Sequence, residues 1–308
     1  MFLDPFYLFS APTPPTDDKS LRDRLRDKMA LSDLQHREVF HIDEVHYERY
    51  PANNTSAPHS SASKNLPPLM VFLPGLGTYS ELYARFLYGV SQQGFEVISL
   101  DYPGHGYSGG RRGEYSVTSV QEAVHALLDR FHADQRKVVL WGYSIGSLLA
   151  LASAEADERV DQVITQTLIL GEYPPDWLHQ MGWSWLGASA PWFPSGRVSM
   201  RSMLDFDQLI RLHPAKDEIL KDPLMIYEYP LSTLNSLFSY RLQRNRDPNA
   251  FSINVFHGDQ DEVLPISYTQ RLSRELPYDV SVTQMSGGHM LLWDDPQTLI
   301  DLTVSVLR

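Results

Sequence analysis

Cysteine is absent from this chain of 308 residues. Without thiols the chain can form neither a disulfide nor a thiolate nucleophile, and a zinc site with cysteine ligands is excluded. A cysteine-free composition fits a reducing compartment, so we expect a cytoplasmic protein.

Positive charge is also scarce. There are 26 Lys and Arg residues against 38 Asp and Glu, which gives a net charge of −12 at pH 7. Neutralising nucleic-acid phosphates requires clustered Lys and Arg, so we expect no nucleic-acid partner. The same acidity disfavours electrostatic docking on an anionic membrane. It says little about a neutral small-molecule substrate.

Long hydrophobic runs are missing as well. The aromatic N-terminal residues 1–9 are too few to cross a bilayer and lack the basic start of a signal peptide. We therefore expect neither a signal peptide nor an integral membrane segment. An arm lying on the body of the protein is the simpler interpretation of this segment, and a lipid-facing or dimer-forming arm is the alternative.

What the chain does contain, from residue 69 onward, is an alternation of apolar strand-like runs with helix-length segments. Strands that alternate with helices of this length imply right-handed crossovers and a parallel sheet. A preceding stretch with period-2 patterning, residues 38–50, predicts antiparallel strands at the start of the sheet. The predicted parallel strands are 69–73, 95–100, 137–141 and 163–170, and the predicted helices are 82–93, 117–133 and 145–155.

This alternation stops at about residue 171 and resumes at about residue 250. The interval holds four of the six tryptophans. We interpret it as a helical cap inserted into an α/β core. The predicted organisation is an N-terminal arm and helix (1–36), the first part of the core (37–170), the cap (171–249) and the second part of the core (250–308).

The candidate nucleophile is Ser144, in the sequence Gly142-Tyr143-Ser144-Ile145-Gly146. An apolar strand enters this motif and a helix-forming run leaves it, which predicts a tight turn that exposes the serine. The glycines allow the helix and the strand to approach closely. A serine that only caps the helix is the alternative, and the order of the partners described next argues against it.

A serine hydroxyl needs a base, and position must choose among 11 histidines. His289 follows the last predicted strand in a loop of small residues, where it can reach over the carboxyl edge of the sheet. His105 lies in a turn after another strand and is the nearest competitor. His257 ends a strand and is more typical of a packed histidine. We predict His289 as the base.

Two aspartates after one strand compete to orient this base, Asp259 and Asp261. Asp259 is close to the strand end and could bond backbone amides of the turn. Asp261 is better placed to reach the histidine loop and is our choice, with Asp259 as the alternative. The pair lacks the further oxygen ligands and spacing of a calcium loop, so we expect no metal.

A Gly-bearing turn, Leu73-Pro74-Gly75-Leu76-Gly77, follows the first parallel strand. Backbone amides in such a turn can point at a developing oxyanion, and the residue after the nucleophile supplies a second amide. We predict an oxyanion hole formed by the amides of Leu76 and Ile145. A simple strand–helix turn is the alternative interpretation.

These motifs together, with Asp101-Tyr102-Pro103-Gly104-His105-Gly106, resemble the α/β-hydrolase superfamily. Within it the chain is similar to the monoacylglycerol lipase and lysophospholipase group, which is also grouped with serine aminopeptidases. The resemblance covers about residue 69 to the C-terminus. It implies a structural role for the turn at His105 and no cofactor. One departure is Pro74, which stands where the group usually has histidine.

The cap's tryptophans and methionines suit an apolar pocket for an acyl chain, although about half of them should form the cap's own core. We predict hydrolysis of small-molecule acyl esters, such as monoacylglycerol- or lysophospholipid-like compounds, through an acyl-enzyme. The predicted pocket residues are Tyr143, Trp177, Trp183, Trp185 and Trp192.

An aminopeptidase or thioesterase on the same fold is the first alternative, and a non-catalytic binding protein is the second. An aminopeptidase needs carboxylates placed to receive the substrate ammonium. The cap offers six, namely Glu172, Asp176, Asp205, Asp207, Glu218 and Glu228.

Overall fold

The computed structural model describes residues 19–53 and 66–307. The predicted arm of residues 1–9 lies outside the described residues. Within them, no helix combines the length and the apolar character needed to cross a membrane.

The centre of the described structure is an eight-stranded sheet, in the order β1-β2-β4-β3-β5-β6-β9-β10. β1 pairs with β2, and β2 with β4, in antiparallel fashion, and the other neighbours are parallel. This confirms the predicted mostly parallel sheet with antiparallel strands at its start. The strands are β1 Glu38–Ile42, β2 Val45–Tyr50, β3 Leu69–Leu73, β4 Glu96–Leu100, β5 Val138–Tyr143, β6 Gln162–Gln166, β7 Arg197–Ser199, β8 Glu228–Pro230, β9 Ser252–Gly258 and β10 Asp279–Met285.

Helices cover both faces of this sheet. Alternate residues of β3 belong to two separate hydrophobic cores, with Leu69 and Val71 in one and Met70 and Phe72 in the other. Burial on both faces explains why the parallel strands read as unbroken apolar runs. The helices are α1 Lys19–Lys28, α2 Ala84–Ser91, α3 Val117–Arg130, α4 Ile145–Ala156, α5 Trp177–Ser189, α6 Phe206–Leu209, α7 Lys216–Lys221, α8 Leu231–Phe238, α9 Ile266–Glu275, α10 Leu291–Asp294 and α11 Pro296–Leu307.

The segment between β6 and β9 contains α5 to α8 and the short antiparallel pair of β7 and β8. Direct hydrogen bonds fix its second half to the core: the Ile226 amide donates to Gly77 O at 2.9 Å, and Arg112 donates to Leu224 O at 2.7 Å. Helix α1 also holds it, since Lys28 Nζ lies 2.8 Å from Glu218. These contacts place the segment over the loops that follow β3 and β4.

Strand β6 is shorter than predicted. The sequence predicts a strand that runs to residue 170, whereas the strand ends at Gln166 because Thr167 has a left-handed backbone with φ of 61°. A residue in that conformation cannot continue a strand. The end of β6 therefore forms a corner, and this corner lies beside the candidate site.

Candidate active site

Ser144 occupies the turn between β5 and α4. Its φ of 54° and ψ of −118° are unusual for a residue with a side chain, and such strain clusters at functional sites. The surrounding glycines are required by close contacts. A Cβ added at Gly142 would lie 2.3 Å from Gly146 O, and one added at Gly146 would lie 2.2 Å from Leu73 O. The first turn of α4 therefore packs directly against the ends of β5 and β3.

The structure brings Ser144, His289 and Asp261 together from three separate loops. His289 Nε2 lies 3.0 Å from Ser144 Oγ, and His289 Nδ1 lies 2.8 Å from Asp261 Oδ2. With Nδ1–H donating to the carboxylate, Nε2 is left to accept the serine proton. The geometry is that of a nucleophile, a base and an orienting acid.

The Asp261 carboxylate is buried and fully hydrogen-bonded. Oδ1 accepts from the amides of Val263 and Leu264, both at 2.9 Å, and Oδ2 accepts from His289 and from Thr167 Oγ1. Burial alone raises the pKa of Asp261, but the interactions with His289, the Leu264 amide and Thr167 outweigh it and lower the pKa to about 2. The carboxylate is therefore an anion at neutral pH, beside the imidazole that it orients.

The neighbouring candidates for acid and base are engaged elsewhere. Asp259 Oδ1 accepts from the Gly287 amide at 3.0 Å, so this carboxylate fixes the loop before His289. His257 is buried, its Nε2 donates to Leu264 O at 3.0 Å, and burial lowers its pKa. It lies 3.9 Å from the Asp261 oxygen that His289 contacts at 2.8 Å.

His105 is a structural residue. The ring is completely buried, and burial lowers its pKa to about 3, so that it is neutral at pH 7. Nδ1 lies 3.1 Å from Pro103 O, and Nε2 lies 2.9 Å from the hydroxyl of Tyr229 in β8. The histidine thus joins the turn after β4 to the segment between β6 and β9.

The two predicted oxyanion donors line one cavity with Ser144. Among the described residues, neither the Leu76 amide nor the Ile145 amide donates to a protein acceptor. The turn that carries Leu76 is held by its carbonyls: Pro74 O accepts from Tyr102 Oη at 2.7 Å, and Gly75 O accepts from Thr78 Oγ1 at 2.8 Å. These bonds fix the turn although proline stands in place of the usual histidine.

Three residues that the sequence does not single out contact Asp261 or His289 directly. Thr167 Oγ1 donates to Asp261 Oδ2 at 2.8 Å, Gln166 Nε2 donates to His289 O at 2.7 Å, and Glu262 Oε2 accepts from the His289 amide at 3.0 Å. The sequence offers a sign of Gln166 and Thr167, since they are polar side chains inside an otherwise apolar run. Nothing in the sequence marks Glu262 except its position directly after Asp261.

The cavity above Ser144 has a volume of about 260 Å³ and is lined almost entirely by apolar side chains. Of the predicted pocket residues, Tyr143, Trp183 and Trp185 line it. Trp183 stacks on Phe238 with ring centroids 4.9 Å apart.

Trp177 and Trp192 do not line the cavity, which corrects the prediction. Their exposed fractions are 65% and 80%. Trp177 lies six residues before Trp183 on α5, and six residues in an α-helix turn the side chain to a different face. Trp192 follows the end of α5.

No Asp, Glu, Lys or Arg lines the cavity in the part of the chain that the structure describes. The carboxylates of the predicted cap have other partners or positions. Glu172 pairs with Arg244 at 2.8 Å, and Glu218 pairs with Lys28. Asp176 accepts from backbone amides at the start of α5.

Comparison with known proteins places this chain in a family. The family model for serine aminopeptidases of family S33 matches residues 66–296. The chain belongs to this hydrolase family. The match includes the segments that carry Ser144, Asp261 and His289.

Solved structures agree with the fold. A monoacylglycerol lipase from Paleococcus ferrophilus superposes with a TM-score of 0.67 at 20% identity, over 87% of this chain and 99% of that chain. A soluble variant of monoglyceride lipase from Saccharomyces cerevisiae, in complex with a substrate analogue, superposes with a TM-score of 0.63 at 15% identity. The superposition covers 88% of this chain and 94% of that chain. These structures confirm the predicted α/β-hydrolase fold, and the family match confirms the resemblance to the group that includes the serine aminopeptidases.

A curated sequence relative adds little. An uncharacterized 31.7 kDa protein from the traX-finO intergenic region of Escherichia coli is 28% identical over 104 residues, which is 32% of this chain. The match spans 36% of that protein's length.

Proposed function

We propose that this protein is a serine carboxylic-ester hydrolase that acts through an acyl-enzyme on esters with an apolar acyl chain. Monoacylglycerol- or lysophospholipid-like compounds are the proposed substrate class. The observation that carries the proposal is the apolar cavity at Ser144, which no Asp, Glu, Lys or Arg of the described residues lines. Transfer of an acyl chain from water into such a cavity lowers the free energy of the complex.

In the first half of the reaction, Ser144 Oγ attacks the ester carbonyl while His289 Nε2 takes its proton. The carbonyl oxygen becomes an oxyanion that accepts from the amides of Leu76 and Ile145. The C–O bond to the alcohol then breaks, and the alcohol leaves with the proton from His289. Throughout, the Asp261 anion stabilises the imidazolium.

In the second half, water attacks the acyl-enzyme carbonyl and His289 takes a proton from it. The same amides hold the second oxyanion. The acyl–oxygen bond to Ser144 breaks, the serine recovers its proton, and the carboxylic acid leaves. The proposed cap, residues 171–249, supplies the apolar walls that hold the acyl chain during both steps.

The cytoplasmic location stays a prediction.

The family description makes aminopeptidase activity the second candidate. Such an enzyme must bind a substrate ammonium, and an unpaired ammonium in an apolar cavity is unfavourable. The absence of a lining carboxylate among the described residues therefore favours esters over aminoacyl substrates. A thioester presents the same acyl group to the same nucleophile, so the lining of the cavity does not distinguish thioesterase activity from esterase activity.

The test is a panel of p-nitrophenyl esters of increasing chain length, assayed beside aminoacyl p-nitroanilides and an acyl thioester. We expect ester hydrolysis whose kcat/KM rises with chain length until the cavity is filled. Ser144→Ala should abolish it. Cleavage of anilides but not of esters would make the protein a peptidase, and the absence of all turnover, with no labelling by a fluorophosphonate, would favour a binding protein.

A further inference from the structure

The corner at the end of β6 contributes no reacting group, yet it contacts all three members of the proposed triad. The Ser144 amide donates to Gln166 O at 3.0 Å. Gln166 Nε2 donates to the carbonyl of His289, and Thr167 Oγ1 donates to Asp261 Oδ2. Two consecutive residues therefore connect three loops that are far apart in the sequence.

Both residues of this corner are completely buried. The backbone of Thr167 is also fixed, since its amide donates to Phe256 O in β9 at 2.9 Å. Positive φ is a genuine outlier for a β-branched residue, and such a conformation persists only where its surroundings impose it. In an extended strand, the side chains at 166 and 167 would point to opposite faces of the sheet. The left-handed corner instead lets both side chains reach the triad loops.

We propose that Thr167 is a positioning residue of the site, whose hydroxyl holds the Asp261 carboxylate in the orientation that His289 needs. The inference rests on the proposed function, because it concerns the same triad. Oδ2 receives two hydrogen bonds, one from the imidazole and one from the Thr167 hydroxyl. Without the hydroxyl, Oδ2 accepts a hydrogen bond only from His289. The carboxylate is then held at Oδ1 by the amides of Val263 and Leu264 and can rotate about that end.

Three substitutions separate the hydroxyl from the shape and the strain of Thr167. Thr167→Val keeps the shape and the branching but removes the hydroxyl. Thr167→Ser keeps the hydroxyl, and Thr167→Gly removes the hydroxyl and relieves the positive φ. Thr165→Val is the matched control, because the buried hydroxyl of Thr165 has no partner in the described structure.

We expect Thr167→Val to lower kcat by roughly 10- to 100-fold with KM unchanged, as for loss of a hydrogen bond to a charged group. The acid limb of its kcat/KM profile should move to lower pH, because a carboxylate that can rotate away from Nδ1 stabilises the imidazolium less. Thr167→Ser and Thr165→Val should stay near wild type. Thr167→Gly should be as slow as Thr167→Val.

The readouts are ester hydrolysis across pH and the rate constant for fluorophosphonate labelling of Ser144. Wild-type kinetics and an unmoved acid limb in Thr167→Val would overturn the inference, and so would a Thr167→Ser variant as slow as the valine variant. If Thr167→Val does not fold, the contrast between Thr167→Ser and Thr167→Gly decides in the same way. If the wild-type protein reacts with the fluorophosphonate but cleaves no ester, only the proposed function is refuted, because the labelling rates still test the role of Thr167. If the wild-type protein does not react with the fluorophosphonate, both the proposed function and the role of Thr167 are refuted.

Discussion

The turn that carries Leu76, the proposed oxyanion donor, allows a sharp test, because one of the two hydroxyls that hold it belongs to a buried tyrosine. Tyr102 is buried, and its hydroxyl donates to Pro74 O at 2.7 Å, two residues before the proposed donor amide of Leu76. Burial raises the pKa of Tyr102 well above its ordinary value, so the phenol is a permanent donor. We predict that Tyr102→Phe both destabilises the protein and slows catalysis.

The magnitude follows from what the substitution leaves behind. Pro74 is buried, so its carbonyl would lose its partner in a place that water does not reach, which costs about 1–3 kcal/mol of unfolding free energy. Complete loss of one oxyanion donor costs about 10²–10³ in kcat. The Leu76 amide remains in Tyr102→Phe and is only less well fixed. We therefore expect kcat to fall roughly tenfold, below that limit.

The assay is urea unfolding together with kcat on a p-nitrophenyl ester. Tyr115→Phe is the matched control, since Tyr115 stacks on Tyr102 with centroids 5.2 Å apart and its buried hydroxyl has no partner in the described structure. Removing that hydroxyl should leave stability unchanged or raise it by up to about 1 kcal/mol. Catalysis should not change in this control.

Equal stability and equal kcat in Tyr102→Phe and Tyr115→Phe would refute this reasoning. The turn would then keep its shape without the Tyr102 bond. A loss of stability with unchanged kcat would refute only the link from the turn to the oxyanion.

Three further predictions concern stability at low pH, the cavity and the role of Asp261. Because burial lowers the pKa of His105 to about 3, the stability from its neutral ring is present above about pH 6.5 and is lost as pH falls toward 3. Urea unfolding should show wild type losing about 2 kcal/mol more than His105→Gln between pH 7 and pH 5. Trp183→Ala should lower kcat/KM for the longest ester chains by roughly tenfold, and Trp177→Ala should not. Asp261→Asn should lower kcat by about 10³–10⁴, whereas Asp259→Asn should leave most of it.

Each of these has a contradicting result. Parallel pH dependence in wild type and His105→Gln would mean that the histidine is not neutral and buried. Equal chain-length profiles for the two tryptophan variants would remove Trp183 from the acyl site. A larger loss in Asp259→Asn than in Asp261→Asn would exchange the roles of the two aspartates.

The turn at Ser144 could be predicted from the sequence because its requirements are local. Glycines at 142 and 146, with a strand before them and a helix after, describe one short piece of backbone. Reach along the chain favours Asp261 over Asp259, and the structure places Asp261 against His289 and Asp259 against Gly287.

The corner at Thr167 could not be predicted in the same way. The apolar run 163–170 reads as one strand, and threonine disfavours positive φ. Its conformation is imposed by bonds to Phe256 and Asp261, which lie about 90 residues away in sequence. The wrong placement of Trp177 has a related cause. Composition shows that the segment is rich in tryptophan but does not show which helix face meets the cavity.

The central claim is that Ser144 becomes acylated during ester hydrolysis. The most direct measurement is acid quenching of the reaction with a p-nitrophenyl ester during turnover, followed by peptide mass spectrometry. We predict an acyl group on the peptide that contains Ser144, and more of it in a variant with slowed deacylation. Turnover with an unmodified Ser144 peptide, or with the acyl group on another residue, would contradict the account.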